Sequence, residues 1–171
     1  GAYRSVPDYW AKAAEFLNHE AHGTRTLILP ASSFARQTWG WTRDEPAQPL
    51  LDVPWAVRDA IPLVTPEAIR GLDGISAYPT PENLARLGIG AVIVRHDLAR
   101  STRNMSAERL FPQAKIHRFG EVEVVILNRN LGMTVVDSDR IPTVAGGGES
   151  LALLGSGAYR LVGQGASIVT D

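Results

Sequence analysis

The stretch "TPENLARLGIGAVIVRHD", residues 80 to 97, constrains the fold more than any other part of the chain. Thr80 is placed to cap a helix, Pro81 to start it, Glu82 and Asn83 to fill its first turn, and Gly88 to end it. "AVIV" follows as a short buried strand. The same alternation runs upstream. "VPDYWAKAAEFLNHEAHG" predicts a helix with Asp8 as N-cap, Trp10, Ala13, Ala14 and Leu17 at helical spacing, and Gly23 as a stop. "RTLILP" reads as a buried strand ended by Pro30, and Pro66 opens a helix running to about Ser76. Helix, strand, helices, strand is the skeleton of an α/β unit with parallel pairing. "KIHRFGEVEVVILN" alternates on either side of Gly120 and predicts an antiparallel hairpin added to that sheet. The expected fold is therefore α/β, with a mixed, mainly parallel sheet flanked by helices. Residues 1–130 form that domain, including a long ordered loop at 31–64. Residues 131–171 read as strand, strand, glycine-opened helix, strand, either continuing the sheet or starting a second small α/β module.

Composition narrows the function. The 171 residues suit one domain with a sizeable core, and an apolar fraction of 44% excludes disorder. A net charge of −1 gives no electrostatic footprint for nucleic acid. Lysine occurs only at Lys12 and Lys115. The absence of cysteine removes disulfides, thiolate metal sites and cysteine nucleophiles together. No run approaches the apolar length of a membrane span. The ends, inside a helix lead-in and just after "ASIVT", read as those of a piece of a longer chain.

The loop is the unusual feature. "SSFARQTWGWTRDEPAQPLLDVPWAVRDAIPL", residues 32 to 63, has neither helical nor strand period, yet it carries Trp39, Trp41 and Trp55. A structureless segment of that length in a compact domain is either functional or disordered, and three indoles argue for order. Indole faces stack on the C–H face of sugar rings, while carboxylates and guanidiniums bind hydroxyls. Trp39, Trp41, Asp44, Glu45, Trp55, Arg58 and Asp59 are accordingly candidates for carbohydrate binding. The competing reading makes the tryptophans a secondary hydrophobic core and pairs Arg58 with Asp44 or Asp59. Adjacent Asp44 and Glu45 point to opposite faces in extended chain, so a paired-carboxylate glycosidase is not favoured.

Other motifs carry less. "VAGGGESLALL" has the context of a phosphate-binding turn, but lacks the P-loop lysine and the third glycine of a dinucleotide fingerprint. His19, His22, His96 and His117 lack the spacing of a metal site. Ser32 and Ser33 end a strand without a nucleophile elbow. His96 beside Asp97 at a strand exit stands either as an acid–base pair or as a polar strand end. No catalytic residue, metal site or cofactor is assigned.

"YWAKAAEFL", "TRTLILPASSFARQTWGWTRDEPAQPLLDVPWAVRDAIPL", "IRGLD" and "LARLGIGAVIVRHDL" together resemble the soluble part of actinobacterial α-(1→3)-arabinofuranosyltransferases. These are large polytopic membrane enzymes of the GT-C class. The specific portion runs from Ser33 to Arg70, above all "TWG", "DEP" and "PWAVRDAIPL". "GGGESLALL" adds a weaker match, and coverage is about residues 9 to 155. The resemblance implies a parent that transfers arabinofuranose from a decaprenyl-phosphate donor onto cell-wall arabinan, at the outer face of the cytoplasmic membrane. Its acting carboxylate lies near the membrane helices, so no catalytic residue carries over to this chain. The membrane domain of the parent chain and cell-wall glycan are the expected partners. Expected roles are support of acceptor glycan binding or of enzyme architecture. A purely structural docking module and an independent hydrolase using His96 and Asp97 are the alternatives.

Overall fold

The computed structural model describes residues 5–30, 36–57, 66–86, 88–99 and 105–129, with the backbone of five further strands between 133 and 169. Chain order begins with α1 (Asp8–Glu20), β1 (Arg25–Leu29), β2 (Arg36–Gln37), β3 (Gly40–Trp41) and β4 (Trp55–Ala56). It continues with α2 (Pro66–Ala77), α3 (Pro81–Arg86), β5 (Ile89–Arg95), α4 (Ala107–Leu110), β6 (Ile116–Phe119) and β7 (Val122–Ile126). The last strands are β8 (Met133–Ser138), β9 (Thr143–Gly146), β10 (Ser150–Leu153), β11 (Gly157–Val162) and β12 (Ala166–Val169).

The central sheet has five strands in the order β4-β1-β5-β7-β6. The pairs β4–β1 and β1–β5 are parallel, whereas β5–β7 and β7–β6 are antiparallel. The sheet is mixed, as the sequence predicts, but the parallel half does not exceed the antiparallel half. The reason lies in the connections. Each parallel neighbour needs a crossover. The chain supplies two, one from β1 to β4 carrying the β2–β3 hairpin and one from β4 to β5 carrying α2 and α3. After β5 the chain returns through a hairpin.

All seven residues of β5 are buried, so both sheet faces must be covered. On the first face Ile28, Ala91, Ile93, Val122 and Val124 pack against Trp10, Ala13 and Leu17 of α1. Those three helical positions recur at i, i+3 and i+7, which puts them on one stripe. On the second face Leu27, Leu29, Val92, Val94 and Val125 pack against Ile75 of α2, Leu84 of α3, and Ala107 and Phe111 at α4. Strand alternation divides neighbouring residues between the two layers.

Local signals account for most element ends. Asn83 N donates to Thr80 Oγ1 at 3.2 Å, which is the expected cap of α3, and Gly88 sits at φ 70° where that helix stops. At α1 the cap position falls on Pro7 with no side-chain bond, and Asp8 is the first helical residue. Gly120 turns the β6–β7 hairpin at φ 52°, and a Cβ there would stand 2.8 Å from Tyr9 Cδ1. Gly120→Ala is expected to cost about 2 kcal/mol from left-handed strain and overpacking, read as a lowered urea midpoint at unchanged m-value.

The segment expected to be irregular is not wholly so. It contains the β2–β3 hairpin, and its Trp55–Ala56 adds a parallel edge to β1. Strands of two residues leave no readable period, which is why the sequence conceals them. The glycine-opened helix expected at "GGGESLALL" is also replaced: Ser150–Leu153 is β10, antiparallel to β9. Four residues are too few for helix propensity to prevail over ladder pairing. The order β10-β9-β12 and the pair β11–β8 form sheets of their own among the described residues.

Candidate functional site

The site develops where β5 leaves the sheet. Alternation sends Arg95 and Asp97 to the face covered by α1, and His96 to the other. Asp97 is 1% exposed. Its Oδ2 accepts from Tyr9 Oη at 2.9 Å, Trp10 Nε1 at 2.8 Å and Trp39 Nε1 at 2.8 Å. One carboxylate oxygen thereby joins the first helix, the Trp-rich segment and the central strand. Oδ1 is buried without a hydrogen-bond partner among the described residues. Burial, and then the charge of Asp97, push the Tyr9 phenol far above its usual pKa, so it remains a donor.

Two residues back, the buried Arg95 guanidinium faces Glu45 in a bidentate pair. Nη1 donates to Oε2 and Nη2 to Oε1, the latter at 2.9 Å, while Nη2 also donates to the Pro30 carbonyl at 3.3 Å. Pro30 follows a cis peptide bond at the end of β1. The planar fork of arginine matches a carboxylate in a way lysine could not.

Backbone bonds complete the attachment. Thr38 N donates to Asp97 O at 2.7 Å and Ala99 N to Arg36 O at 3.0 Å, with a bridge between Gln37 and Leu98. The other arm of the segment is held by α1: Asn18 Nδ2 donates to Leu50 O and Asp52 Oδ2, and Asp52 N donates back to Asn18 Oδ1 at 2.9 Å. Ala47 and Val53 are buried against the same face of the sheet.

The three indoles therefore differ. Trp39 is half-buried and points inward to Asp97, and Trp55 is half-buried on β4 against the first core. Trp41 is 41% exposed, with the Arg43 guanidinium carbon 5.3 Å from its ring centroid. Asp44 is exposed, whereas Glu45 is committed to Arg95. Arg58 and Asp59 lie outside the described residues, as do Ser32, Ser33 and Glu149. The structure thus joins Trp39 to Asp97 and buries Glu45, and it sets Trp41 and Asp44 at the surface.

His96 and Asp97 are not brought together. His96 Nε2 lies 3.2 Å from Glu123 Oε2; Glu123 also accepts from Ala107 N at 2.9 Å and Arg118 Nε at 3.2 Å. Burial alone would raise the Glu123 pKa, but the Ala107 amide and His96 outweigh it and hold the carboxyl below its usual value. His117 packs on Phe16 with ring centroids 4.4 Å apart, His19 pairs with Glu20, and His22 reaches the His19 carbonyl. Among the described residues no group of three or more His, Asp or Glu could hold a metal ion.

Tyr9, Trp10 and Arg95 belong to the cluster, although the sequence did not single them out as site residues. The signal was present in "RHD": alternation around His96 pairs Arg95 with Asp97 on one face. Chemically, Asp97 Oδ2 with three donors acts as an acceptor that ties three segments together, while Oδ1 stays buried without a partner among the described residues.

Residues 1–120 match the family model described as alpha-(1->3)-arabinofuranosyltransferase, N-terminal GT-C domain. The alpha-(1->3)-arabinofuranosyltransferase of Mycolicibacterium smegmatis is 40% identical over 138 residues, 71% of this chain and 10% of the relative. That of Mycobacterium tuberculosis is 40% identical over 140 residues, 70% and 10% of the two chains. The single-particle cryo-EM structure of arabinofuranosyltransferase AftD from mycobacteria superposes with a TM-score of 0.64 at 28% identity, covering 83% of this chain and 13% of that one. The chain spans about a tenth of the length of the curated relatives it matches. On this match the chain belongs to the alpha-(1->3)-arabinofuranosyltransferase family, within its N-terminal GT-C domain.

Proposed function

We propose that the chain is an extracytoplasmic α/β support domain of a membrane arabinofuranosyltransferase that builds cell-wall arabinan from decaprenyl-phosphate-linked arabinose. It serves the architecture of the parent enzyme, and the chemical step belongs to the rest of the chain. The observation that carries this is the Asp97 carboxylate, which takes the two indole N–H groups and the Tyr9 hydroxyl internally. Groups that would contact a substrate are instead used to fix a segment of surface against the sheet. In the described part no helix is long and apolar enough to cross a membrane.

The test places Asp97→Asn in the full-length enzyme and separates yield from turnover. An architectural role lowers the amount and thermal stability of folded enzyme while arabinan transfer per folded molecule stays near wild type. A fall of about a hundredfold or more in transfer by folded enzyme would assign Asp97 to the chemistry and overturn the reading. A second reading, contact with acceptor glycan, is favoured by the exposed ring of Trp41 beside exposed Asp44. Trp41→Ala is expected to change stability by less than about 1 kcal/mol, against about 3–5 kcal/mol for Trp10→Ala in the core. Equilibrium unfolding checks the contrast. Titration of arabinan oligosaccharides by amide shifts checks the contact, which is expected to weaken in Trp41→Ala.

A further inference from the structure

The geometry points to the outer face of the β2–β3 hairpin as a contact for the phosphates of an anionic lipid surface, made by Trp41, Arg36 and Arg43. This inference rests on the membrane-enzyme part of the proposal above and not on the glycan contact. Trp41 and Tyr78 are the large apolar side chains exposed among the described residues, and Trp41 has cationic company. Arg36 is its directly paired residue across the hairpin, so both side chains leave the same face. Arg36 and Arg43 are both exposed. The Arg43 guanidinium lies over the indole, and the Arg43 backbone sits at φ 68°, a region that non-glycine residues enter at a cost. Thr42 Oγ1 donates to the Asp44 carbonyl across this turn.

The inner side of the hairpin is fastened by Trp39 to Asp97 and by Thr38 and Ala99 through their amides. A fixed inner side and a strained outer turn present one indole with the Arg43 guanidinium over it and Arg36 paired beside it on the same face. That combination suits a bilayer surface. The amphipathic ring rests at headgroup depth, and guanidiniums take phosphate oxygens in bidentate pairs. A neutral furanose could use the indole and take hydrogen bonds from a guanidinium, but only an anionic surface also uses the two positive charges. Exposed Asp44 subtracts from the positive field, so the contact is weaker than the two arginines alone would make it but still measurable for the free domain. Attachment to a membrane enzyme raises the effective concentration enough for a weak contact to orient the domain.

The chain closes a core on both faces of its central sheet, so it can be tested by itself. It is mixed with vesicles of phosphatidylcholine alone, or of equal parts phosphatidylcholine and phosphatidylglycerol, and sedimented. Binding is expected only to the anionic vesicles, weakening with salt, with brominated lipid quenching the emission of Trp41. Arg36→Gln and Arg43→Gln each lower partitioning about fivefold, and Asp44→Asn raises it. Urea midpoints of these surface variants are expected to match wild type, so a lost interaction is not lost fold. Equal binding to both vesicle types, or no binding to either, would overturn the inference. So would full competition by millimolar inorganic phosphate, which would indicate a free-anion site. Binding of neutral arabinan oligosaccharides at Trp41 without vesicle binding would overturn it in favour of the glycan contact. None of these outcomes bears on Asp97→Asn in the full-length enzyme, so the architectural proposal stands or falls separately.

Discussion

Asp97→Ala is expected to lower the unfolding free energy by about 3–5 kcal/mol, because of what the carboxylate does for its neighbours. Two indole N–H groups and a phenol lose their acceptor together, and each buried donor left unpaired costs about 1–3 kcal/mol. Relief from burying a carboxylate offsets part of that sum. Asp97→Asn keeps an acceptor oxygen without the charge, and should cost about 1–2 kcal/mol. Urea unfolding gives the totals. The cause is read locally, from the indole Nε1 protons of Trp10 and Trp39. These should exchange slowly in wild type, faster in the Asp97→Asn variant and fastest in the Asp97→Ala variant. The Thr38 amide, bonded to the Asp97 carbonyl, should lose protection in the same order. A loss below about 1 kcal/mol in Asp97→Ala would show that water replaces the carboxylate at little cost, and that the cluster does not hold the segment.

How far this was legible in the sequence follows from the range of each signal. Elements set by local chemistry could be read directly: the Thr80 cap, Gly88 after α3, the Gly120 hairpin, and the 3.6-residue stripe of α1. The exposed and buried roles of the three tryptophans could not, because they depend on partners far along the chain. Trp39 and Asp97 are 58 positions apart, and Glu45 and Arg95 are 50 apart. An alternating strand states that Arg95 and Asp97 share a face, but not what waits there. Similarly, β2, β3 and β4 have two residues each, which gives no period to detect. Within the described residues 36–57 the sequence pointed to an ordered segment, while its described candidates divide between the interior and the surface. The helix expected after the glycine run shows the opposite error, with local propensity overruled by pairing in β9–β10.

Breaking the buried ion pair from one side is expected to cost as much as any single change in this protein. Arg95 has no exposed side-chain surface and Glu45 only 7%, so Glu45→Leu leaves a guanidinium in the interior with the Pro30 carbonyl for company. Removing one member of such a pair costs about 3–5 kcal/mol, because the remaining charge stays desolvated. Arg95→Met should cost a similar amount for the carboxylate, less what Glu45 recovers by turning toward water from its partly accessible position. The double variant separates pair from packing. With both charges gone no ion is stranded, and two apolar side chains of similar volume can fill the space. The double should then be more stable than Glu45→Leu alone by about 2 kcal/mol or more. Additive losses in the double-mutant cycle would mean that each side chain acts through its own packing and that the pair is incidental. The cycle also bears on specificity. If the double variant recovers stability but the Thr38 and Ala99 amides exchange faster, the charges fix the position of the Trp-rich segment rather than the stability of the fold. That is the behaviour an architectural domain requires, since its parent would need the segment in one place more than it needs the domain to resist unfolding.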